Sequence, residues 1–462
     1  MTAVQEPLDD AQVGIEPVPA SLRRLGAFDI GVLWGDLSVG VLVLAAGALL
    51  VTPTAASGLG MDFRGALIAI VIGSAAGSLL LALVGLAGHA RGVPTMTLLR
   101  PVLGRHGSYA ASVINVVQLV GWTAFEFWAM AHFASRVSSR VFGFSGFDGW
   151  LVAIAVVCTT LATLGPIRFV KVWLEKVGLW VVLTTCGFLT VYLLTRHGLG
   201  HLLSGPRRGA PLAVGIDLVV AQPVSWLPVV ADYNRFAVGR RENFVGTFGG
   251  YFSGNLWFYA LGALLVLTAG LTDASPAGIA VSILGLSAGA VAGVALLVSL
   301  LGGETHEAFA DIYSTAMSAQ NVFPRLQHRA AVIATGAVGA VIAAFATLGT
   351  YETFLFLLGS VFVPLFAVLL ADWLAGGLRD SAVGGEPLRR PGMIAAWVAG
   401  FVVYHWIVAP GTMPAWWSRL VNGVLPAAGQ HSGWGASLPC FAVTFVLALA
   451  ASVVSRRSAR LA

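Results

Sequence analysis

Four ionisable side chains crowd into one short segment of an otherwise apolar chain. The segment reads "GGETHEAFADIYS" and contains Glu304, His306, Glu307 and Asp311. On a helix, Glu304 and Glu307 share a face at spacing three, and Glu307 and Asp311 share it at spacing four. Carboxyl groups this close disfavour full ionisation, so one of them can hold a proton at neutral pH. The segment predicts a proton-carrying carboxyl–imidazole group or, if it lies in a cytoplasmic loop, a solvated acidic stretch.

Metal or covalent catalysis finds little support in the same segment. A zinc site of the His-Glu-x-x-His type would need both histidines on one helical face, and the sequence lacks that pattern. A membrane enzyme that used His306, Glu307 and Asp311 as a catalytic cluster would also need a nucleophile motif, which the sequence does not offer. We predict no enzyme activity, no metal and no cofactor, and we keep a membrane enzyme as an alternative.

A second polar face runs through "VINVVQLVGWTAFEFWAM". Gln118, Trp122 and Glu126 are spaced four apart and therefore stack on one helical face, which Asn115 joins at spacing three. An indole between an amide and a carboxyl group suits a flat heteroaromatic ligand, whose ring stacks on Trp122 and whose edge meets Glu126. The alternative is that Glu126 pairs with a buried partner and that Trp122 fills the core.

The stretch "AQPVSWLPVVADYNRF" places two helix breakers inside an apolar segment. Pro223 and Pro228 remove backbone donors, so preceding carbonyls need other partners. Such carbonyls are tolerated at membrane depth only if a cavity, a ligand or an ion satisfies them. We therefore predict that Gln222, Ser225 and Trp226 face a ligand at this break.

Two further groups of polar residues lie near the ends of apolar segments. Asp232 and Arg235 are three apart at the end of the stretch just quoted, and we interpret them as a structural pair or a gate. Near the start of the chain, "VLWGDLSVGVLVLAAG" places Trp34, Asp36 and Ser38 at a second glycine-rich break, and we predict that these three residues line the same site.

Membrane-spanning helices must position these residues. Of the 462 residues, 57% are hydrophobic and 10% are charged, whereas about 25% is usual for charged residues in soluble domains. The net charge is only +5 and the basic residues are scattered, which argues against nucleic-acid binding. A helix needs about 20 apolar residues to cross the hydrocarbon core. Twelve transmembrane helices are predicted, at about 28–51, 63–88, 108–134, 149–165, 172–195, 212–231, 246–270, 278–302, 328–349, 351–372, 392–409 and 435–455.

The two broken spans are the first and the sixth, five helices apart. Matched breaks of this kind are typical of transporters built from two inverted repeats of five helices. We predict an all-α polytopic membrane protein with a single transporter domain at 28–462. It comprises a first repeat at 28–195, a second repeat at 212–372, two accessory helices at 391–455 and a cytoplasmic C-terminal tail at 456–462.

The distribution of basic residues predicts the orientation. Most of the 26 lysines and arginines fall in loops on the side of the N-terminus, with Arg207 and Arg208 as the main exception. The positive-inside rule then places both termini in the cytoplasm of a plasma-membrane protein. Residues 1–27 are predicted to be a disordered cytoplasmic tail, because they lack the apolar core of a signal peptide. The three cysteines sit among apolar residues and are predicted to pack in the core.

The chain resembles the nucleobase:cation symporter family 1, also called the purine–cytosine permease family. The stretches that carry the resemblance are "WGDLSVGVLVLAAGALL", "GVPTMTLLRPVLGRHGS", "VGWTAFEF", "SWLPVVADYNRF" and "DIYSTAMSAQ". They extend over nearly the whole chain, and within the family the sixth helix and "DIYS" look most like the hydroxymethylpyrimidine transporter branch. The resemblance implies a LeuT-type fold with discontinuous helices one and six and a substrate site between helices one, three, six and eight.

The resemblance also implies roles for single residues. The family's ring-stacking tryptophan falls on Trp122, and its polar position one turn later falls on Glu126, where an amide is usual. Sodium-coupled members carry a Ser/Thr pair on helix eight, which falls on His306 and Glu307 here, with Thr305 as the neighbouring hydroxyl. A hydroxyl pair suits sodium, whereas a His–Glu pair suits a proton.

The sequence thus predicts a secondary active importer of a nucleobase or related aminopyrimidine, coupled to H⁺ or Na⁺, with H⁺ favoured. Its partners are a small-molecule substrate and the lipid bilayer, with no obligate protein partner. The alternative on the same fold is an amino-acid symporter. The predicted substrate residues are Trp34, Asp36, Gln118, Trp122, Glu126, Gln222, Ser225, Trp226 and Asp311. The predicted cation-coupling residues are Ser38, Thr305, His306 and Glu307.

Overall fold

Helices make up nearly all of the described structure. The computed structural model describes residues 13–54, 58–163, 179–196, 199–204, 209–269, 274–285, 290–377, 389–408 and 413–461. The first half contains α1 (Ala27–Asp36), α2 (Val41–Val51), α3 (Phe63–Arg91), α4 (Thr95–Leu98), α5 (Arg100–Leu103), α6 (Arg105–Phe142), α7 (Phe147–Leu161), α8 (Leu179–Arg196) and α9 (Leu199–Leu203). The second half contains α10 (Leu212–Trp226), α11 (Val230–Asn234), α12 (Arg240–Ala269), α13 (Pro276–Leu284), α14 (Ala290–Val322), α15 (His328–Ala343), α16 (Leu348–Leu374), α17 (Pro391–Ile407), α18 (Ala415–Val424) and α19 (Ser437–Leu461).

The long helices have the length and composition of membrane spans. Among the described residues, six helices are apolar enough to cross a bilayer, and the bent pair α1–α2 makes a seventh span. Four shorter apolar helices lie at Phe147–Leu161, Leu183–Thr195, His328–Ala343 and Pro391–Ile407. The predicted all-α membrane architecture is confirmed, whereas the count of twelve spans stays a prediction. The short helix α18, between the two accessory helices, was not predicted.

Helix one is broken where the sequence predicts it. The segment α1, called the inner half after the predicted orientation, ends at Asp36. The segment α2, called the outer half, begins at Val41, and the two axes differ by 60°. Gly40 precedes α2 in an extended conformation. The break exposes the last carbonyls of α1 and the first N–H groups of α2, which must find partners elsewhere.

Helix six is interrupted later and more gently than the two prolines suggest. The α-helix runs through Pro223 to Trp226, passes into a 3₁₀ turn at Leu227–Val229 and resumes as α11. Despite this interruption, the segment from Leu212 to Asn234 forms a single candidate membrane span. Pro223 packs against α3 at Gly77, where an added Cβ would lie 2.1 Å from the proline ring. A break at Pro223 itself is therefore a wrong detail, because Pro228 initiates the actual interruption.

Helix eight extends beyond the span at 278–302. The predicted span at 278–302 divides between α13 and α14, and α14 continues to Val322. Its acidic segment lies in the protein interior, since Glu304, His306, Glu307 and Asp311 are each at most 3% exposed. The alternative of a solvated cytoplasmic loop is wrong.

The N-terminal segment is ordered from residue 13. Val18, Leu22 and Leu25 are buried, and Leu25 forms a parallel bridge with Ala237 at the end of helix six. The prediction of a disordered tail is therefore wrong for residues 13–27, because apolar side chains anchor the segment, while 1–12 lie outside the described residues. The helix α19 continues to Leu461, and the cytoplasmic location of the C-terminal tail at 456–462 stays a prediction.

Glycines allow helix one to pack closely on α12. The inner half meets α12 where an added Cβ on Gly250 would lie 2.2 Å from the carbonyl oxygen of Gly31. The outer half does the same, because a Cβ on Gly262 would lie 2.1 Å from the carbonyl oxygen of Leu44. Small residues let membrane helices approach in this way. Both halves of the broken helix are thus fixed against one continuous helix.

Gly262→Ala is expected to destabilise the fold, because the added methyl group meets the backbone of α2. Overpacking of this kind costs about 1–3 kcal/mol, so the thermal unfolding midpoint in detergent should fall. Gly249→Ala is the matched control on α12, because its Cβ would have nothing within 4 Å. Equal midpoints for the two variants would contradict the close seam between α2 and α12.

Candidate functional site

Three buried carboxyl groups meet at the centre of the molecule. Glu126 comes from α6, and Glu304 and Glu307 come from α14. One oxygen from each lies within 4.8 Å of the others, and each residue is at most 1% exposed. Both oxygens of Glu126, Oε2 of Glu304 and Oε1 of Glu307 have no hydrogen-bond partner among the described residues. A low-dielectric interior does not hold three negative charges so close together, so the group must hold a proton or a cation. We call Glu126, Glu304 and Glu307 the carboxyl trio.

The carboxyl trio is attached to the break in helix one. Glu304 accepts a hydrogen bond from the backbone N–H of Val41, the first residue of α2. The N-terminus of a helix carries a partial positive charge, which favours a carboxylate there. Gly40 makes room for this contact, because an added Cβ would lie 2.5 Å from Oε1 of both Glu304 and Glu307. Glu304 belonged to the acidic segment noted in the sequence but was not assigned to the site, because only the fold reveals its partner on α2.

A second contact ties helix eight to the inner half of helix one. Nδ1 of His306 lies 2.8 Å from Oδ2 of Asp36, and both side chains are buried. The sequence analysis assigned Asp36 to the substrate and His306 to the cation. The structure joins them to each other at the C-terminal end of α1. Helix eight therefore holds both sides of the helix-one break.

The other two residues of the predicted cation site point elsewhere. Thr305 donates to the carbonyl of Leu301 and lies 3.6 Å from the sulfur of Met130 on α6. Ser38 donates to the carbonyl of Gly35 within the break. Of the four predicted coupling residues, only Glu307 joins the carboxyl trio.

A small cavity adjoins the carboxyl trio and collects most of the predicted substrate residues. Its walls pack closely in this conformation and leave no room for a water molecule between them. Residues from helices three, six and eight contribute to its wall, and they are Trp122, Gln222, Ser225, Trp226, Glu307 and Asp311. The structure thus brings both tryptophans and two carboxyl groups around one space, while their contact with a substrate stays a prediction.

Gln118 braces helix six instead of lining the cavity. Its Nε2 donates to the carbonyl of Ser225 at 3.0 Å, one of the carbonyls freed near the interruption. Ser225 in turn donates its hydroxyl to the carbonyl of Gln222 at 2.6 Å. Protein groups therefore satisfy part of the polar backbone that the sequence analysis left to a ligand. Asn115, on the same face of α6, donates to Ser318 of α14.

The three predicted tryptophans have different positions. Trp122 packs edge-on against Tyr351 and Phe354 of α16, with ring centroids 6.0 Å and 5.4 Å away. Trp226 meets Trp34 edge-on at 6.3 Å. Trp34 is fully buried and donates its indole N–H to Asn234 at 2.7 Å, so it supports Trp226 from behind. The indole N–H of Trp226 has no partner among the described residues.

Sequence reasoning missed the two rings of α16, Tyr351 and Phe354, although their spacing of three in an apolar segment was a usable signal.

Asp232 and Arg235 do not form a direct ion pair. Oδ1 of Asp232 accepts from the backbone N–H of Thr95 at 3.0 Å. Arg235 donates to the backbone carbonyl of Asp232 at 3.2 Å and to that of Gly14 at 2.7 Å. The prediction of a structural pair is wrong in this respect, because each of the two side chains binds backbone groups instead of the other side chain. Asp232 fixes the loop before α4, and Arg235 fixes the N-terminal segment.

A larger groove lies on the other side of helix one. It has a volume of about 550 Å³ and runs between α1 and α12, with a wall of glycines and apolar residues that Asp36 interrupts. Its aromatic and polar residues other than Asp36 are Phe28, Trp257 and Ser253. Trp257 and Ser253 already donate their hydrogen bonds to Thr190 and to the backbone of Gly249 and Gly250, so they are poorly placed to orient a polar heterocycle. We therefore assign the candidate substrate site to the smaller cavity beside the carboxyl trio.

Comparison with protein families gives a match over most of the chain. Residues 17–385 match the family described as permease for cytosine/purines, uracil, thiamine, allantoin. The chain is 25% identical over 388 residues to the cytosine permease of Escherichia coli (strain K12), covering 80% of this chain and 83% of that protein. It is 22% identical over 395 residues to the hydantoin permease of Microbacterium maritypicum, covering 79% and 77% of the two chains.

Solved structures share the fold. Mhp1, a nucleobase-cation-symport-1 family transporter in a closed conformation with bromovinylhydantoin bound, superposes with a TM-score of 0.75 at 17% identity, covering 96% of this chain and 94% of that one. A Na⁺-coupled sialic acid symporter gives a TM-score of 0.64 at 10% identity, covering 98% and 92%. At these identities the likeness concerns the fold, and it confirms the predicted LeuT-type architecture.

Gly40→Ala is expected to displace the carboxylates of Glu304 and Glu307 from the N-terminus of α2. Loss of a helix cap costs about 0.5–2 kcal/mol, so the thermal unfolding midpoint should fall. Gly302→Ala is the matched control on helix eight, because its Cβ would have nothing within 4 Å. A Gly40→Ala variant as stable as Gly302→Ala would contradict the contact between the carboxyl trio and the break.

Proposed function

Because the chain belongs to the family of permeases for cytosine/purines, uracil, thiamine and allantoin, we propose that it is a secondary active importer of a nucleobase-type aminopyrimidine. The observation that carries the proposal is the cavity walled by Trp122, Trp226 and the carboxyl groups of helix eight. The chain is a multi-pass membrane protein, and its permease relatives indicate a transporter rather than an enzyme. We further propose a plasma-membrane location with both termini in the cytoplasm.

The chemistry around the cavity favours a ligand rich in hydrogen-bond donors. Oε1 of Glu307 on the cavity wall and both oxygens of the adjoining Glu126 are buried acceptors without a described partner, whereas the indole N–H of Trp226 is an unpartnered donor. A 4-aminopyrimidine presents an amino donor beside an acceptor ring nitrogen. A protonated carboxyl group matches that edge with one donor and one acceptor. Cytosine and hydroxymethylpyrimidine both carry this edge, and a cytosine permease is among the relatives.

Proton coupling fits the residues of the candidate cation site. Three carboxyl groups in a buried space need at least one proton to avoid an excess of negative charge. The sodium-coupled members that the sequence resembles carry a Ser/Thr pair at this place on helix eight, whereas here the hydroxyl of Thr305 is directed to Leu301 and Met130. We therefore propose H⁺ rather than Na⁺ as the coupling ion.

One contact argues against the amino-acid carrier on the same fold. Such a carrier would bind the substrate carboxylate with backbone N–H groups at the helix-one break. The first N–H of α2, on Val41, already donates to Glu304. A second anionic group at this position would also face the carboxyl trio, which makes an amino-acid carboxylate a poor ligand here.

Trp122→Ala is expected to weaken cytosine binding, because the indole supplies the stacking surface. Base–aromatic stacking contributes about 1–3 kcal/mol, so the dissociation constant should rise by about 5- to 150-fold. Binding is measured by ligand-induced thermal stabilisation over cytosine, hydroxymethylpyrimidine, uracil, purines and hydantoins.

Trp416→Ala is the matched control for this experiment, because Trp416 is 62% exposed on α18 and lies outside the cavity. The assignment of Trp122 fails if both variants bind cytosine as tightly as the unmodified protein. Stabilisation by none of the heterocycles would contradict the proposed substrate class itself.

Cytosine affinity is expected to decrease as pH rises, because the ligand edge requires a protonated carboxyl group. A single linked proton changes the affinity by up to about tenfold per pH unit. Glu126→Gln should flatten this profile, because an amide offers a donor and an acceptor at every pH. Titrations between pH 5.5 and pH 8.5 test this, with Glu242→Gln at the start of α12 as control. A slope that Glu126→Gln leaves unchanged would contradict the assigned role of Glu126.

A further inference from the structure

Glu304 occupies a position that differs from those of its two neighbours. Among the described contacts of the carboxyl trio, the bond from Val41 to Glu304 reaches helix one, whereas both oxygens of Glu126 and Oε1 of Glu307 lack hydrogen-bond partners. We propose that Glu304 is a positioning residue that converts protonation of the carboxyl trio into movement of the outer half of helix one. This inference rests on the proposed function and names the part of the protein through which the coupling ion acts.

The bond to α2 favours the charged form of Glu304. Its carboxylate accepts a backbone N–H at a helix N-terminus, where a negative charge is stabilised. Glu304 is therefore the anionic member, and the proton resides on Glu126 or Glu307. A proton on either one can form a hydrogen bond to a neighbouring carboxylate, since the oxygens lie within 4.8 Å of one another. In this state α6, α14 and α2 are joined through one shared group.

Loss of the proton would break that arrangement. Three carboxylates would then repel one another in a region of low dielectric constant, and nearby pairs of like charge are strongly destabilising there. The oxygens can separate if Glu304 leaves Val41, if the side chain of Glu126 or Glu307 swings away, or if α6 moves away from α14. Because Glu304 is the member bonded to α2, its departure loosens the outer half of helix one. The arrangement in the structure is therefore the proton-loaded one.

The surroundings of the carboxyl trio reinforce this dependence on a proton. Asp311 lies one turn beyond Glu307 on α14. Asp36 lies near Glu307 and is hydrogen-bonded to His306. Tyr251 of α12 and Tyr351 of α16 also face the group. Two of these neighbours are carboxyl groups and two are phenols, and none of the four brings a lysine or arginine to compensate the carboxyl trio, so they favour retention of the proton.

Gly40 provides independent structural support. The backbone at Gly40 is extended rather than left-handed, so its conformation alone does not require glycine. The missing side chain matters because its space is filled by the oxygens of Glu304 and Glu307. The break in helix one is therefore shaped to receive the two carboxylates.

Glu304→Gln separates coupling from substrate binding. The amide oxygen can still accept from Val41, so the fold and the cavity should persist, but the side chain can no longer be anionic. In proteoliposomes, a gradient of one pH unit, acidic outside, supports about a tenfold accumulation of substrate for each proton moved. We expect the unmodified protein to accumulate labelled cytosine and Glu304→Gln to reach only equal concentrations, while cytosine counterflow without a gradient continues in both.

Two further variants sharpen the test. Asp62→Asn is the matched control, because Asp62 caps the N-terminus of α3 by accepting from Gly65 and lies outside the carboxyl trio. It should accumulate cytosine like the unmodified protein. Glu304→Asp keeps the charge but shortens the reach to Val41, so its accumulation should also fall. Proton uptake, followed with a trapped pH-sensitive dye, should disappear in the two Glu304 variants and persist in Asp62→Asn.

The possible outcomes separate the role of Glu304 from the proposed transport function. Full accumulation by Glu304→Gln would overturn the role of Glu304 while leaving transport intact. Accumulation driven by a sodium gradient and indifferent to pH would also overturn it. If the unmodified protein shows no counterflow of cytosine, hydroxymethylpyrimidine or another family substrate, the proposed function is wrong and the inference falls with it.

Discussion

Burial of three carboxyl groups within a few ångströms of one another is the constraint around which this protein is organised. Glu126, Glu304 and Glu307 come from two helices far apart in sequence and meet in the protein interior, where each side chain is buried. Such a group persists only if protons, cations or backbone dipoles compensate its charge. The structure supplies one compensation from the protein backbone, through the N-terminus of α2, and leaves the other oxygens without described protein partners. A division between a backbone partner and an exchangeable partner is what the proposed coupling site requires.

The broken helix one follows from the same constraint. A continuous helix would satisfy its own backbone groups and would offer no N–H to Glu304. The break frees the N–H of Val41 for Glu304 on one side and places Asp36 beside His306 on the other. Glycine contacts with α12 then fix both halves against a continuous helix. Helix one is thus held by packing along one side and by ionisable groups along the other, so a change in charge can act on it without dismantling the packing.

The sequence predicted the membrane class, the break in helix one and the set of residues around the cavity, because each leaves a local signal. Long apolar runs indicate spans, a glycine cluster around Asp36 indicates a break, and the spacing of Gln118, Trp122 and Glu126 indicates a shared face. Hydrogen bonds between residues that are far apart in sequence leave no such local signal. Gln118 binds the carbonyl of Ser225, and Trp34 binds Asn234 about 200 residues away. The ordered N-terminal segment was missed because three buried apolar side chains are too few to register as an amphipathic pattern.

The candidate substrate cavity and the carboxyl trio are continuous, since Glu307 belongs to both and Glu126 lies one helical turn from Trp122. Two ligands that meet at shared side chains influence each other's affinity, and thermodynamic linkage makes that influence reciprocal. A proton that improves the match of a carboxyl group to an aminopyrimidine edge is itself bound more tightly when the aminopyrimidine is present. In the proposed mechanism, substrate and proton load together, and Glu304 connects their joint arrival to α2. Coupling of this kind needs no long-range pathway, because one group of carboxyls adjoins the substrate cavity and contacts α2 at once.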